Sequence, residues 1–371
     1  MQRTTHAKPR TSASTSQSPS LGQLVASLVA LVVTLVVLWF GFMFLRSNRL
    51  PQLAIAFIAI IWGVGGVAAL FYVANLVVES LSEKWRDRIR PYVFVGPAVA
   101  ILAWFLFIPT LRTFYLSLFS SNSSTFVGLD NFVAVFANRE MLQSFRNNLL
   151  WMIFGTGGSV SLGLLIAVLA DRSKFETIAK SLIFMPMAIS FVGAGIIWRF
   201  IYDYNPSGAG QVGVLNGLVV AFGGEPRAWL ALVQPWNNLF LILVLIWMQT
   251  GFAMVIFSSA IKGIPDDIME AARMDGATEV QIFFRIMIPY IMGTIITVTT
   301  TIVIFTLKIF DVVIVMTGGQ YGTDVVATQF YRQFFTNRNF GYGSAVAIVL
   351  FIAVLPVMIY NLRQLRKQEA F

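Results

Sequence analysis

The 371-residue chain has no cysteine and one histidine, and only 12% of it is charged. Each shortage removes a kind of chemistry. Without cysteine there is no disulfide, no thiolate metal site and no cysteine nucleophile. The one histidine, His6, lies in the polar stretch MQRTTHAKPRTSASTSQSPS at residues 1–20, so the body of the chain offers neither a histidine zinc site nor a histidine general base. No G-x-x-x-x-G-K-[ST] phosphate loop and no G-x-S-x-G elbow occurs. Carboxylates inside the apolar runs are too few and too scattered for a hydrolytic pair. The chain is therefore expected not to be an enzyme, with no catalytic, cofactor or metal site of its own.

What remains is apolar. The chain is 57% hydrophobic with 33 phenylalanines, and its mean hydropathy is +0.77. Runs of roughly 18 or more apolar residues read as membrane spans. Eight are expected, at 24–45, 52–78, 91–119, 148–170, 180–199, 236–260, 290–316 and 342–360. The fold class is all-α and polytopic. Residues 1–20 are polar and of low complexity, which predicts a disordered tail. The run LVASLVALVVTLVVLWFGFMF at 24–44 has no clear small-x-small cleavage site and reads as a retained anchor. Glycines in WGVGGVAAL and GTGGSVSLG allow close helix approach or mark kinks.

The net charge of +9 has no aromatic–basic interleaving around it, so it speaks for membrane topology and against nucleic acid. With a cytoplasmic N-terminus, the clusters Lys84–Arg90, Arg172–Lys180, Lys262–Arg285 and Arg363–Lys367 all fall inside. Both termini are then cytoplasmic, and loops 120–147, 200–235 and 317–341 face out. Trp229, Trp236, Tyr321 and Tyr331 in or beside those loops suit interfacial anchors or an outer docking surface.

Two charges fall at membrane depth. In IVIFTLKIFDVVIVMTGG, Lys308 and Asp311 are three apart, and a continuous helix sets them on one face as a pair. Such a pair either fixes helix packing or walls a polar path for a solute. Phe310 between them suits stacking on the apolar face of a sugar, or contact with lipid. Asn147 and Asn148, at the start of the fourth span, are further polar candidates.

The loop 261–289 is the most structured by sequence. Pro265 suits a first helical turn, and Asp266 and Asp267 favour the positive end of a helix over 266–274. Ala271 and Ala272 give a thin face, and Glu270 and Arg273 are spaced to pair. Gly276 suits a left-handed stop, and Thr278 with Gln281 suits the start of a second helix. Pro289 separates that helix from the next span or kinks the junction. The expected product is a helix, a glycine turn and a helix at the membrane face. It reads either as an interfacial amphipathic loop or as a knob for a groove on a soluble partner.

This segment, EAARMDGATEVQIFFRIMIP, resembles the EAA loop of membrane subunits of binding-protein-dependent ABC importers. The matching residues are Glu270, Ala271, Ala272, Asp275, Gly276, Ala277, Phe284, Ile286 and Pro289. FDVVIVMTGGQYGTDVVATQFYRQFF and RSKFETIAKSLIFMPMAIS resemble the sugar-transporting branch. The resemblance covers residues 91–371 and is nearest to alpha-glucoside permeases. The two extra N-terminal spans are similar to those of the larger membrane subunit of the maltose transporter, without its large periplasmic insertion.

The resemblance implies a type I importer core of six spans at 91–361, two accessory spans at 21–90 and a short C-terminal tail at 362–371. It implies coupling to an ATPase through Glu270, Ala271, Ala272, Asp275, Gly276 and Ala277, with ATP and Mg held by that partner. The implied partners are an ATPase dimer, a second homologous permease, an extracytoplasmic sugar-binding protein, a sugar and the lipid bilayer of the inner membrane. Asn147, Lys308, Phe310 and Asp311 are the candidates for the substrate path. A permease for glycerol phosphate or another polyol, and a secondary transporter, are the alternatives.

Overall fold

A computed structural model describes residues 21–47, 50–171, 173–206 and 210–369. The expectations for residues 1–20, including His6, lie outside the described residues. The described chain is helical with no strand, apart from one isolated bridge between Phe119 and Phe126. Six helices are long and apolar enough to cross a membrane, and two bent helix pairs bring the number of possible spans to eight.

These spans are α1 (Leu21–Arg46), α2 (Gln52–Glu79), α3 (Glu83–Ser117), α4 (Arg139–Asp171), the pair α5 (Glu176–Ala188) and α6 (Phe191–Ile201), α7 (Trp236–Lys262), the pair α10 (Glu279–Tyr290) and α11 (Met292–Leu307), and α14 (Phe340–Glu369). Between α7 and α10 lie residues 263–278, which include α8 (Asp266–Met274), and α9 (Glu279–Ile282) forms the first turn of α10. Beyond α11 come the short α12 (Asp311–Met316) and α13 (Val326–Tyr331).

The bends follow the chemistry. A proline, Pro186, precedes the 102° turn from α5 to α6, and Pro289 precedes the 72° turn from α10 to α11. Proline lacks an amide hydrogen and crowds the preceding turn, so a helix bends or stops there.

The chain divides into two compact units, Met1–Thr110 and Leu111–Phe371. In the first, α1 and α2 pack through small residues. A β-carbon on Gly66 would lie 2.6 Å from Leu38, and Trp62 covers Gly41. The Ser27 and Ser80 hydroxyls are 3.1 Å apart, and Phe71 of α2 stacks on Phe94 of α3. Gly63 and Gly65 face open space, so only part of WGVGGVAAL serves packing. Most apolar side chains here are exposed, as expected of surface that meets lipid or protein in a membrane.

The second unit holds the buried core. Its centre is α7, the most buried span, with Leu241, Leu245, Met248, Ala253, Met254 and Phe257 enclosed. Glycine lets neighbours close on it: a β-carbon on Gly163 of α4 would lie 2.5 Å from Ala253, and one on Gly251 of α7 would lie 2.5 Å from the Ile183 carbonyl. Trp151 of α4 is fully buried where that helix widens into a π turn over Trp151–Thr156. Gly155, Gly158 and Gly163 of GTGGSVSLG thus act in close packing beside a local distortion, while Gly157 faces open space.

Candidate functional site

The loop 263–290 is built as two helices around one glycine. Gly276 adopts φ +79°, a left-handed conformation that suits glycine. Its N–H donates to Arg273 O at 3.0 Å, and the Ala277 N–H donates to Ala272 O at 3.0 Å. These two bonds satisfy the last carbonyls of α8 in a Schellman arrangement. Two residues on, Thr278 and Gln281 exchange reciprocal side-chain-to-backbone bonds and start the next helix as a capping box. Sequence spacing therefore located both the stop and the start.

One face of this unit is anchored. Ile264, Ile282, Met287 and Ile291 form a buried cluster, with Met269, Ala272, Ala277 and Ile286 packed against it. The other face is open: Asp267, Glu270, Ala271 and Met274 recur at helical spacing and all are exposed, Met274 to 87%. Asp275 and Gly276 at the turn are exposed as well. The expected Glu270–Arg273 pair does not form. Arg273 Nε instead donates to Glu279 Oε1 at 3.1 Å, because the glycine turn brings the following helix back beside α8. Glu270 is left without an ion-pair partner among the described residues.

At the base of this loop is an ion cluster that sequence reasoning missed. Lys180 of α5 bonds Asp171 at the end of α4, Glu176 one turn earlier and Ser258 of α7. Glu176 also holds Lys262, the last residue of α7. Glu176 and Lys180 are an i,i+4 pair visible in the sequence; the other partners are long-range.

The second candidate region required a correction. Lys308 and Asp311 do not share a helical face. α11 ends at Leu307, Lys308 caps it at φ −100°, and α12 starts at Asp311 after an irregular Phe310 at φ −141°. The apolar run expected at 290–316 is thus two helices with a break between them, and the two charges form no ion pair. A side-chain amide explains why the break is stable: Asn148 Nδ2 donates to Leu307 O at 3.2 Å, satisfying a carbonyl that the helix end leaves free. Lys308 is exposed, while Phe310 and Asp311 are half-buried. Phe310 packs on Tyr331 of α13 with ring centroids 5.3 Å apart.

Asn147 has a different setting from these three. It is fully buried, and its Nδ2 donates to Gly322 O and Asp324 O, both at 2.7 Å. Its side chain holds a backbone loop. That loop, 317–325, is also tied through the side chain of Asp324, which accepts from Arg332 at 2.6 and 2.9 Å and from Gln329 at 3.1 Å. Burial pushes the Asp324 carboxyl above its ordinary pKa, and the Arg332 guanidinium opposes that rise. Asn237 and Asn238, which sequence reasoning missed, join the same network: Asn237 Nδ2 donates to Tyr321 O at 2.8 Å. The signal was present as a repeated Asn-Asn, RNNLL before the fourth span and WNNLF at the sixth. Trp229 is also tied inward, its indole donating to the buried Asn216 at 2.9 Å.

Comparison with known proteins places both regions in a wider frame. The family described as "Binding-protein-dependent transport system inner membrane component" matches residues 159–367, which include the glycine-turned loop and the helix break. The chain is 53% identical to the Osmoprotective compounds uptake permease protein GgtC of Synechocystis sp. over 277 residues, 75% of this chain and 99% of that one. It is 45% identical to the Alpha-glucoside transport system permease protein AglF of Rhizobium meliloti over 334 residues, 86% of this chain and 99% of the relative. A crystal structure of a bacterial ABC transporter involved in the import of alginate has a chain of the same fold, with a TM-score of 0.66 at 20% identity, covering 77% of this chain and 99% of that one.

Proposed function

We infer, because this chain belongs to the family of binding-protein-dependent transport system inner membrane components, that it is the permease subunit of an ATP-driven sugar importer and carries half of the translocation path. The observation that carries this reading is the loop 263–290: a rigid helix–glycine–helix anchored on one face and offering Asp267, Glu270, Ala271 and Met274 on the other. A thin, exposed, partly charged face on a rigid support suits a cleft in a soluble protein. Force passes through such a contact only if neither side yields. Glu270, Ala271, Ala272, Asp275, Gly276 and Ala277 then couple the permease to a separate ATPase dimer, which binds ATP and Mg.

The other assignments follow from the same reading. The excess of basic residues around 84–90, 172–180 and 262–285 orients the coupling loop and both termini toward the cytoplasm of the inner membrane. A sugar-binding protein delivers solute to the opposite end, and a second, related permease completes the pore. The path runs by the helix break, where Lys308, Phe310 and Asp311 line it, and Asn147 supports it from behind. The spans at 21–90 are accessory to the core at 91–361. The substrate class is alpha-glucosides or related oligosaccharides, supported by the likeness to the alpha-glucoside permease across nearly all of that protein. The 53% identity to a permease for osmoprotective compounds favours a second reading, a small osmoprotective solute, with a polyol among the candidates.

Reconstitution with the ATPase, the second permease and the binding protein in liposomes tests the whole. Alpha-glucosides are expected to raise ATP hydrolysis and to accumulate inside, and a panel including polyol glycosides separates the two substrate readings. ATP hydrolysis that ignores every sugar would sink the importer reading. Glu270→Ala is expected to weaken ATPase-subunit binding by the amount typical of truncating one partner of a buried charge pair, about 2–5 kcal/mol. Undiminished binding would remove Glu270 from the contact.

A further inference from the structure

The substrate-path reading leaves unexplained why two consecutive asparagines, on each of two spans, are buried at the end of the molecule away from the coupling loop. Asn147, Asn237 and Asn238 are fully enclosed and Asn148 is 5% exposed. Buried amides are costly unless bonded, so four of them together require a purpose. Three of them bond backbone atoms of a single segment, and Asn238 donates to the side chains of Asn147 and Asn237, at 3.4 Å each. Asn148 is the most informative. Its Nδ2 donates to Leu307 O, the last helical carbonyl before the break, and its Oδ1 accepts from Val326 N at 2.9 Å. One side chain of α4 therefore joins the two ends of everything between 307 and 326. The remaining asparagines hold the middle: Asn147 takes Gly322 O and Asp324 O, and Asn237 takes Tyr321 O.

We propose that Asn148 is a positioning residue for transport, the neck of a clamped insert whose two ends it ties together so that Phe310 and Asp311 keep their place in the path. This rests on the path reading given above. The insert has no regular backbone at Lys308–Phe310 to hold it, so its geometry is set by side chains from the spans behind it. A solute passing the break presses on Phe310 and Asp311. If the neck gives, the nucleotide cycle continues while the solute is not carried with it. Asn148 touches no solute; it acts through the backbone at 307 and 326.

The test separates positioning from simple destabilisation. In proteoliposomes holding the complete transporter, Asn148→Leu removes both bonds at similar side-chain size. Sugar carried per ATP hydrolysed is expected to fall about tenfold, the effect of roughly one to two net hydrogen bonds, while the binding-protein concentration that half-saturates ATPase stimulation stays unchanged. A ratio equal to wild type overturns the proposal, whether both rates hold or both fall in proportion. Phe310→Ala run in parallel tests the underlying reading. If Phe310→Ala leaves transport and sugar preference untouched, the path reading fails; if it alters them and Asn148→Leu keeps the wild-type ratio, only the positioning role fails. Should Asn148→Leu not fold, Asn148→Ser with a reporter at Ile309 decides. Ile309 is 5% exposed and the chain has no cysteine, so Ile309→Cys is a clean probe. Maleimide labelling of Ile309→Cys is expected to quicken severalfold when Asn148→Ser is added; equal rates overturn the proposal.

Discussion

Gly319 shows how tightly single atoms are placed in the 317–325 loop. Its φ is +77°, and a β-carbon there would overlap the Asp324 carboxylate and come within 2.7 Å of Arg332 Nη2. Both objections apply at once, the backbone conformation and the space. Gly319→Ala is therefore expected to lower the Tm of the purified complex in detergent, with backbone strain alone contributing about 1–3 kcal/mol. Gly63→Ala is the contrast. It stands in the interior of α2, where an added β-carbon meets nothing within 4 Å. Helical alanine is favoured over glycine by roughly 0.5–1 kcal/mol, so this variant should match or exceed the wild-type Tm. Equal loss in both would mean that the space around Gly319 does not matter.

At the scale of elements, the most legible features were those whose cause is local. Hydropathy located six spans that form as single helices, because crossing a bilayer demands a long apolar run, while the expected runs at 180–199 and 290–316 fold as bent or broken pairs. Gly276 and the Thr278–Gln281 pair marked the stop and start in the loop 263–290, because both devices are written within a few residues. The break at 308–310 was not legible. The run from 290 to 316 carries no charge apart from Lys308 and Asp311, and the groups that stabilise its interruption, the Asn148 amide above all, lie about 160 positions earlier in the chain. The Arg273–Glu279 pair was missed for a related reason, since it exists only once the chain has reversed at Gly276. The loop's architecture makes a graded prediction. Gly276→Val forces a branched side chain into a left-handed site and removes the Schellman closure, whereas Thr278→Ala removes one cap worth about 1 kcal/mol. Co-purification of the ATPase subunit should fall sharply in the first and slightly in the second, with membrane insertion intact in both. Full recovery of the ATPase with Gly276→Val would show that the turn is dispensable.

The whole molecule is uneven in where its stability resides. Among the described residues, the four buried hydrophobic clusters fall within residues 111–371, while the first unit contributes only Val73 and Val78 to the buried apolar residues. The Synechocystis relative matches 75% of this chain with 99% of its own length, so a protein of this family exists with a much shorter sequence. Deleting residues 2–80 removes α1 and α2, an even number of spans, and keeps the basic turn around Lys84–Arg90 on the side it occupied. Topology should then be preserved, because the bias of basic residues near span ends is what sets it. The shortened chain is expected to insert, to retain the ATPase subunit and to support sugar uptake at the rate of the full chain, measured per copy in the same liposomes. Loss of uptake with the ATPase still bound would instead assign the first two spans a direct part in the transport cycle, because assembly would have survived their removal while translocation had not.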